Sequence, residues 1–262
     1  MMNANDRRDL ILQILREKKE IKIIELSEMI NVSRETIRND IKILENEDGR
    51  VKKTYGGAKL EESSRETAYE IRRQANRRGK LAIAKLASGL VEEGDTIYLD
   101  YGTTNLEIAK QLVAKNHLTV VTNTLPIINV LAKNETINLF VPGGYIRRVE
   151  FSLAGTTSMQ AIQDIYVKYG FFGCSGIHMN YGITNIVDSE AEFSKMMMNR
   201  STNVFIVADG TKFGRVSYKQ LADFEEINKI ITDQIPDSQK ETVNFFKEFY
   251  PNLDVIQSDY RI

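Results

Sequence analysis

Residues 33–44, Ser-Arg-Glu-Thr-Ile-Arg-Asn-Asp-Ile-Lys-Ile-Leu, constrain this chain more than any other stretch. Ile37, Ile41 and Leu44 recur at steps of four and three, which sets them on one helical stripe, while Arg34, Arg38 and Lys42 recur on another. One face needs a core and the other needs an anion. Ser33 supplies a cap, Glu35 suits the positive end of the helix dipole, and Asn31 tolerates the left-handed turn that separates this helix from residues 24–30. The spacing predicts a helix-turn-helix whose second helix carries the basic face.

The flanking sequence supports that reading. Leu10, Ile11, Ile14 and Leu15 give an amphipathic helix over 7–18, and Leu26, Met29 and Ile30 are expected to turn inward from the helix at 24–30. Behind the basic helix, which should end near 45–48, residues 49–57 alternate basic and apolar or β-prone side chains between glycines, the pattern of a small hairpin. A basic hairpin in that position reads as a wing laid along a phosphate backbone. The alternative is a three-helix bundle with solvated charges, against which stand the basic helix face and the hairpin behind it. Candidate contacts to double-stranded operator DNA are Ser33, Arg34, Thr36, Arg38, Asn39, Lys42, Arg50, Lys52 and Lys53.

Charge divides the chain unevenly. The net charge is -1, yet residues 1–80 carry 19 Lys and Arg against 15 Asp and Glu, while 81–262 carry 16 against 21. The front suits phosphate and the back does not. Three parts are expected: a DNA-binding domain over 1–60, a polar and then Arg-rich linker over 61–78, and a larger domain over 79–262. The single cysteine, Cys174, cannot form an intrachain disulfide, which fits a reducing compartment. The chain opens Met-Met-Asn-Ala-Asn-Asp without an apolar signal core, and no apolar run approaches a membrane span, so a cytoplasmic protein with no membrane partner is expected.

From residue 80 onward short apolar runs alternate with amphipathic stretches. Strands are expected at 96–100, 118–122, 137–141, 169–174, 203–208, 229–232 and 254–256, and helices at 81–91, 105–114, 125–132, 189–199 and 239–249. Such alternation predicts an α/β domain with a mostly parallel sheet covered on both faces, whose ligands sit at the carboxyl ends of the strands. Small polar residues follow five of those ends. Asp100, Gly102, Thr103 and Thr104 open a helix, and backbone N–H groups at a helix start form an anion cradle, with ordinary Thr capping as the plainer reading. Thr122 and Asn123, Gly143 and Gly144, the turn 173–176 with Gly176, and 209–214 with Lys212 follow the others, suggesting a pocket for a small polyhydroxylated anion. Glu190 begins a helix, where a favourable charge at its positive end competes with a contact to sugar hydroxyls. Cys174 reads as a small buried hydrophobe, and His117 and His178 lack the companions of a zinc site. No metal, cofactor or catalytic residue is expected.

Ser33-x-x-Thr36-Ile37-Arg38-x-Asp40 with Gly49-x-Val51 and Tyr55-Gly56-Gly57-Ala58 resembles the DeoR-type family of bacterial sugar-responsive transcription factors. Residues 94–104, Val121-Thr122-Asn123, Gly143-Gly144 and 208–214 resemble its effector domain in the family's order, so the likeness spans Arg7 to about Asp233. The resemblance implies a winged helix-turn-helix repressor with an effector domain similar to ribose-5-phosphate isomerase that binds a phosphorylated sugar. It implies that Asp100, Gly102, Thr103 and Thr104 hold the ligand, that Thr122, Asn123, Gly143 and Gly144 shape the pocket, and that Lys212 lies near the sugar. One departure is Ser175, where many members carry Asp; a carboxylate is lost, and with it one piece of acid/base equipment for isomerisation.

Three functions are weighed. A ligand-controlled DNA-binding repressor leads, an activator keeps the same architecture, and the rival class is a sugar-phosphate isomerase with an appended DNA-binding module, for which Glu190, Glu192 and Lys212 are the remaining acid/base candidates. A homodimer or homotetramer is expected, because paired DNA-binding domains double the contact with the operator.

Overall fold

In the computed structural model, which describes residues 4–47, 51–60 and 69–258, the chain divides into two units, Met1–Ala75 and Asn76–Ile262. The first unit runs α1 (Ala4–Lys18), β1 (Glu20–Lys22), α2 (Ile23–Ile30), α3 (Arg34–Glu47), β2 (Val51–Lys53), β3 (Gly57–Leu60) and α4 (Tyr69–Gln74). Asn31 takes the left-handed conformation at φ 56° and ends α2, and the Ser27 hydroxyl donates to the Val32 carbonyl at 2.6 Å to fix the turn. The Ser33 hydroxyl then accepts the Thr36 N–H at 3.1 Å, the cap that starts α3. Ile37, Ile41 and Leu44 are fully or almost fully buried among Ile11, Leu15, Leu26 and Val51. Each such side chain contributes roughly 1.5–3 kcal/mol by leaving water.

Two readings of this unit need amendment. Met29 was expected inside and is 55% exposed, because α2 begins at Ile23 and its buried stripe runs through Ile23 and Leu26, with Met29 turned off its edge. The hairpin of β2 and β3 forms and reaches Leu60, but it is two strands of a three-stranded antiparallel sheet whose third member is β1, in the order β1-β3-β2. Gly57 is required at that junction, since a Cβ there would lie 2.2 Å from the Ile21 carbonyl oxygen. Arg50 and residues 61–68 fall outside the described residues. Of the rest of the expected linker, α4 packs against α3 within the first unit.

The second unit runs α5 (Arg77–Gly89), β4 (Thr96–Leu99), α6 (Thr103–Leu112), β5 (Thr119–Thr122), α7 (Leu125–Leu131), β6 (Asn138–Phe140), β7 (Tyr145–Arg147), β8 (Ser152–Ala154), α8 (Thr156–Ala161), β9 (Val167–Phe172), β10 (Gly176–His178), β11 (Gly182–Asn185), α9 (Asp188–Met198), β12 (Ser201–Val207), β13 (Lys219–Ala222), β14 (Lys229–Thr232), α10 (Lys240–Phe249) and β15 (Asp254–Gln257). All seven expected strands join one parallel sheet in the order β15-β14-β12-β9-β4-β5-β6. Its inner strands are buried on both faces, which is why stretches such as Phe205-Ile206-Val207 are continuously apolar. Two smaller sheets were not foreseen, the β7–β8 hairpin and the antiparallel set β10-β11-β13. Strands of three or four residues are too short to show an alternation in sequence.

The order of strands fixes where a ligand fits. From β4 the chain moves outward through β5 and β6, then returns to the other side of β4 to place β9, β12, β14 and β15. The switch point therefore lies between β4 and β9, and Leu99 stands in register with both Thr122 and Phe171. The carboxyl ends of β4, β5 and β9 are thus level, with a crevice outside them.

Candidate functional site

On the first unit, α3 presents Arg34, Arg38, Asn39 and Lys42 as exposed side chains opposite the Ile37-Ile41-Leu44 stripe. Thr36 is half-buried and shares a 2.8 Å hydrogen bond with Ser33, so these two shape the helix start as well as facing outward. Arg34 and Arg38 line a groove of about 320 Å³ with Ile23, Ile24, Lys53, Thr54, Tyr55 and Gly56, which brings the helix and the hairpin turn onto one surface. Lys53 is exposed and Lys52 half-buried, and the Lys53 N–H donates to the Glu45 carboxylate at 3.1 Å, tying the hairpin to α3. Glu35 holds the Arg38 guanidinium at 2.9 Å on the exposed face.

Asp40 belongs to the sequence motif but not to that surface. It is 3% exposed, and Arg7 of α1 grips its two oxygens at 2.6 and 3.2 Å. The acidic residue in the motif thus fixes α3 against α1. Sequence reasoning missed this pair because its partners lie 33 residues apart.

In the second unit the crevice begins at Asp100. Its carboxylate is fully buried and accepts from the Tyr98 hydroxyl at 2.7 Å and from Ser194 of α9 at 3.0 Å to each oxygen. Burial pushes this carboxyl up to about 7, against the pull of those two hydroxyls and with a small push from the charge of Glu190. Gly102 follows at φ 108° and ψ 164°, a conformation that glycine alone adopts without strain, and open space lies where its side chain would be. Thr103 and Thr104 form the first turn of α6, whose backbone ladder starts with Leu106 N–H to Gly102 carbonyl at 3.2 Å. The N–H groups before Leu106 are those a helix start offers to an anion.

The other predicted residues gather unevenly around this point. Thr122 ends β5 beside it and Asn123 follows, buried at 0% and 2% exposure. Lys212 closes a short 3-10 turn after β12, and its charge acts on both Asp209 and Cys174, which places it beside the turn that follows β9. Burial works to raise Asp209, but the positive charges of Lys212 and Lys80 prevail and hold it below the usual carboxylate value. The half-buried Cys174 thiol is pushed up to about 12 by burial, which favours the neutral thiol over the thiolate. Gly143 stands in open space beyond the edge strand β6, whereas Gly144 and Gly176 are packing positions, where a Cβ would lie 2.2 Å from Ser158 Oγ and 2.4 Å from the Arg215 carbonyl oxygen. Glu190 is 3% exposed and clamped by Arg147 at 2.6 and 2.9 Å and by the Ser152 hydroxyl at 2.8 Å. It joins the β7–β8 hairpin to the start of α9.

Asn105, Thr124 and Asn185, outside the predicted set, join Thr122 and Asn123 at the crevice. Asn105, Thr122, Asn123, Thr124 and Asn185 all have side-chain polar atoms that are buried without a hydrogen-bond partner among the described residues. Leaving such an atom dry costs about 1–3 kcal/mol, so five residues of this kind at strand ends mark a surface built to meet polar groups. Asn105 and Asn185 gave no signal in sequence beyond being polar residues near strand ends.

A winged helix-turn-helix unit joined to an α/β unit with a polar crevice at its switch point defines a transcriptional regulator with a sensor domain. Residues 7–64 match the DeoR-like helix-turn-helix domain and residues 75–234 the DeoR C terminal sensor domain. The chain belongs to the DeoR family. Relatives include the transcriptional regulator GolR of Listeria innocua, 34% identical over 87% of this chain and 90% of that one, and the transcriptional repressor CsqR of Escherichia coli, 29% identical over 90% of each. The lactose phosphotransferase system repressor of Staphylococcus epidermidis is 29% identical over 94% of this chain and 99% of its own. Among solved structures, ribose 5-phosphate isomerase A of Methanocaldococcus jannaschii overlays with a TM-score of 0.40 at 16% identity, covering 53% of this chain and 55% of that one. Among the described residues no helix is long and apolar enough to cross a membrane, and no group of His, Cys, Asp and Glu could hold a metal.

Proposed function

We propose that the protein is a cytoplasmic repressor of a sugar-metabolism operon, released from its operator when a phosphorylated sugar enters the crevice of the second unit. The observation that carries the ligand assignment is the start of α6 at the switch point: Gly102 with open space beside it and two threonines for the phosphate, with the buried, unpartnered carboxamide of Asn105 next along the turn to meet the sugar. A phosphate gains hydrogen bonds and a favourable dipole there that a neutral sugar does not. Thr103, Thr104 and the N–H groups around them take the phosphate, Lys212 adds charge, and Thr122 and Asn123 meet the sugar. Asp100, enclosed by Tyr98 and Ser194, positions the turn.

Isomerase chemistry is disfavoured by the state of the carboxylates. A general base must reach the substrate's C–H, yet Glu190 is held by Arg147 and Ser152, and Asp100 faces Tyr98 and Ser194. On DNA, Arg34, Arg38, Asn39 and Lys42 enter the major groove while Lys53 and its neighbours in the hairpin follow the backbone. Two such units in a homodimer or homotetramer read a repeated site. The test is operator binding by the full chain against glucose 6-phosphate, fructose 6-phosphate and ribose 5-phosphate and their unphosphorylated sugars, with thermal stability measured in parallel. At least one phosphate should raise the melting temperature and release DNA while its sugar does neither. Stronger action by the unphosphorylated member of each pair would overturn the assignment.

A further inference from the structure

We propose that the carboxamides of Asn105 and Asn185 determine which sugar the crevice accepts, by reading adjacent hydroxyls of a pentose or hexose phosphate whose phosphate sits at the start of α6. This rests on the function proposed above and goes beyond it by naming the residues that choose among sugars.

Hydrogen bonding fixes what each amide offers. Asn185 is 2% exposed, and its Oδ1 accepts the Ser175 N–H at 3.0 Å, so the amide cannot turn over and its unpartnered Nδ2 is a donor. Asn123 is set the opposite way: its Nδ2 donates to the Leu153 carbonyl at 3.2 Å, which leaves Oδ1 as an acceptor. Asn105 is fully buried with both Nδ2 and Oδ1 unpartnered. It faces the turn after β9, where a Cβ on Gly173 would lie 4.0 Å from its Nδ2. The crevice therefore presents a donor, an acceptor and one group that is both. A hydroxyl is the ligand group that donates and accepts at once, and a row of hydroxyls answers such a row of amides.

Spacing agrees with a sugar. Asn123 follows β5, Asn105 lies in the first turn of α6 after β4, and Asn185, the last residue of β11, accepts from the turn after β9, so the three amides lie by the ends of three adjacent strands of the parallel sheet. Two strand spacings come to about 10 Å, the length of a five- or six-carbon sugar with its phosphate. Ser175, rather than a carboxylate, stands beside Asn185 and leaves that donor uncommitted to a neighbouring charge. A leucine has the same branched heavy-atom skeleton as asparagine and would suit a dry interior better, so an amide at position 105 points to a polar occupant.

The experiment compares full-length protein, Asn105→Leu and Asn185→Asp by calorimetry with fructose 6-phosphate, glucose 6-phosphate, ribose 5-phosphate, glycerol 3-phosphate and inorganic phosphate. Asn185→Asp keeps the acceptor for Ser175 N–H but turns the free donor into an acceptor. In the parent, at least one sugar phosphate should bind 100-fold or more above glycerol 3-phosphate. Asn105→Leu should lose tenfold or more for that sugar while its affinity for inorganic phosphate stays within twofold, and Asn185→Asp should reorder the three sugars. An unchanged ranking in both variants would overturn the proposal, as would equal losses for sugars and inorganic phosphate, which would make these amides supports of the fold. Should Asn105→Leu fail to fold, the ranking in Asn185→Asp decides alone. A parent that binds none of the panel overturns the crevice as a sugar-phosphate site altogether, and so separates that failure from failure of the amides.

Discussion

Ser194 of α9 lies 3.0 Å from both carboxylate oxygens of Asp100, linking the helix that carries Glu190 to the strand end that leads into α6. With the Tyr98 hydroxyl it encloses a charge in the interior, and that has a cost which depends on pH. In an unfolded chain Asp100 ionises at the ordinary carboxylate value of about 4, and in the folded unit at about 7. Between those values the folded state holds the extra proton, so this residue's contribution is most favourable below pH 4 and is lost as pH rises through 7. Three pH units correspond to roughly 4 kcal/mol. Asp100→Asn should therefore gain stability on the parent as pH rises from 5 to 8, read as a widening difference in melting temperature. Parallel melting curves across that range would show that the carboxyl titrates normally.

The Arg7–Asp40 pair makes a second prediction. Arg7, its side chain 14% exposed, donates two hydrogen bonds from α1 to Asp40 of α3, 4% exposed, and removing Asp40 leaves a partly buried guanidinium without them. Asp40→Ala should destabilise the first unit by about 3–5 kcal/mol, and the double change Arg7→Met with Asp40→Leu should recover most of it, because an apolar pair has no charge to desolvate. Urea unfolding of the full chain, followed by the loss of operator binding, reads both. Equal stability of parent and Asp40→Ala would mean that α3 is anchored by Ile37, Ile41 and Leu44 alone.

How far the sequence revealed these features follows from their range. The α3 stripe, the Ser33 cap and the Asn31 turn were legible because each is decided within four residues, and the seven parallel strands because burial on both faces makes them continuously apolar. Met29 was misjudged because the helix start, one residue earlier than expected, decides which edge of the stripe is buried. Glu190 is a different case. Its place at a helix start was readable, but the Arg147 clamp depends on a hairpin of two three-residue strands that carries no local signal. The same holds for Asn185, whose meaning comes from a Ser175 N–H that only the fold brings near.

Glu190 predicts a mechanical consequence. Its carboxylate receives Arg147 and Ser152 from the hairpin while sitting on α9 four residues before Ser194, so one helix touches both the hairpin and Asp100. Arg147→Ala should take both guanidinium hydrogen bonds from a buried carboxylate and lower the second unit's stability by about 3 kcal/mol or more. Arg147→Lys should recover part of that, since one ammonium cannot reproduce the two-pronged contact. Thermal melting at pH 7 checks it, and a change below half a kcal/mol for Arg147→Ala would show the clamp to be dispensable.

Arg38 and Lys53 should separate by kind of effect on DNA. Arg38 lies on the exposed face of α3, where its guanidinium pairs with Glu35 at 2.9 Å. A base-reading arginine carries about 1–3 kcal/mol of discrimination, so Arg38→Ala should reduce specific binding by roughly ten- to a hundredfold with little change on random DNA. Lys53 sits at the hairpin on the same groove and, as a phosphate contact, carries affinity without sequence information. Lys53→Ala should weaken specific and random DNA alike and reduce the steepness of the salt dependence by about one counterion. Glu35→Gln is the control, because it frees Arg38 without removing it and should not lower specificity. Titrations of operator and random duplex at several salt concentrations distinguish these outcomes. If Arg38→Ala and Lys53→Ala both shift the two duplexes equally, α3 follows the backbone here and another element reads the bases.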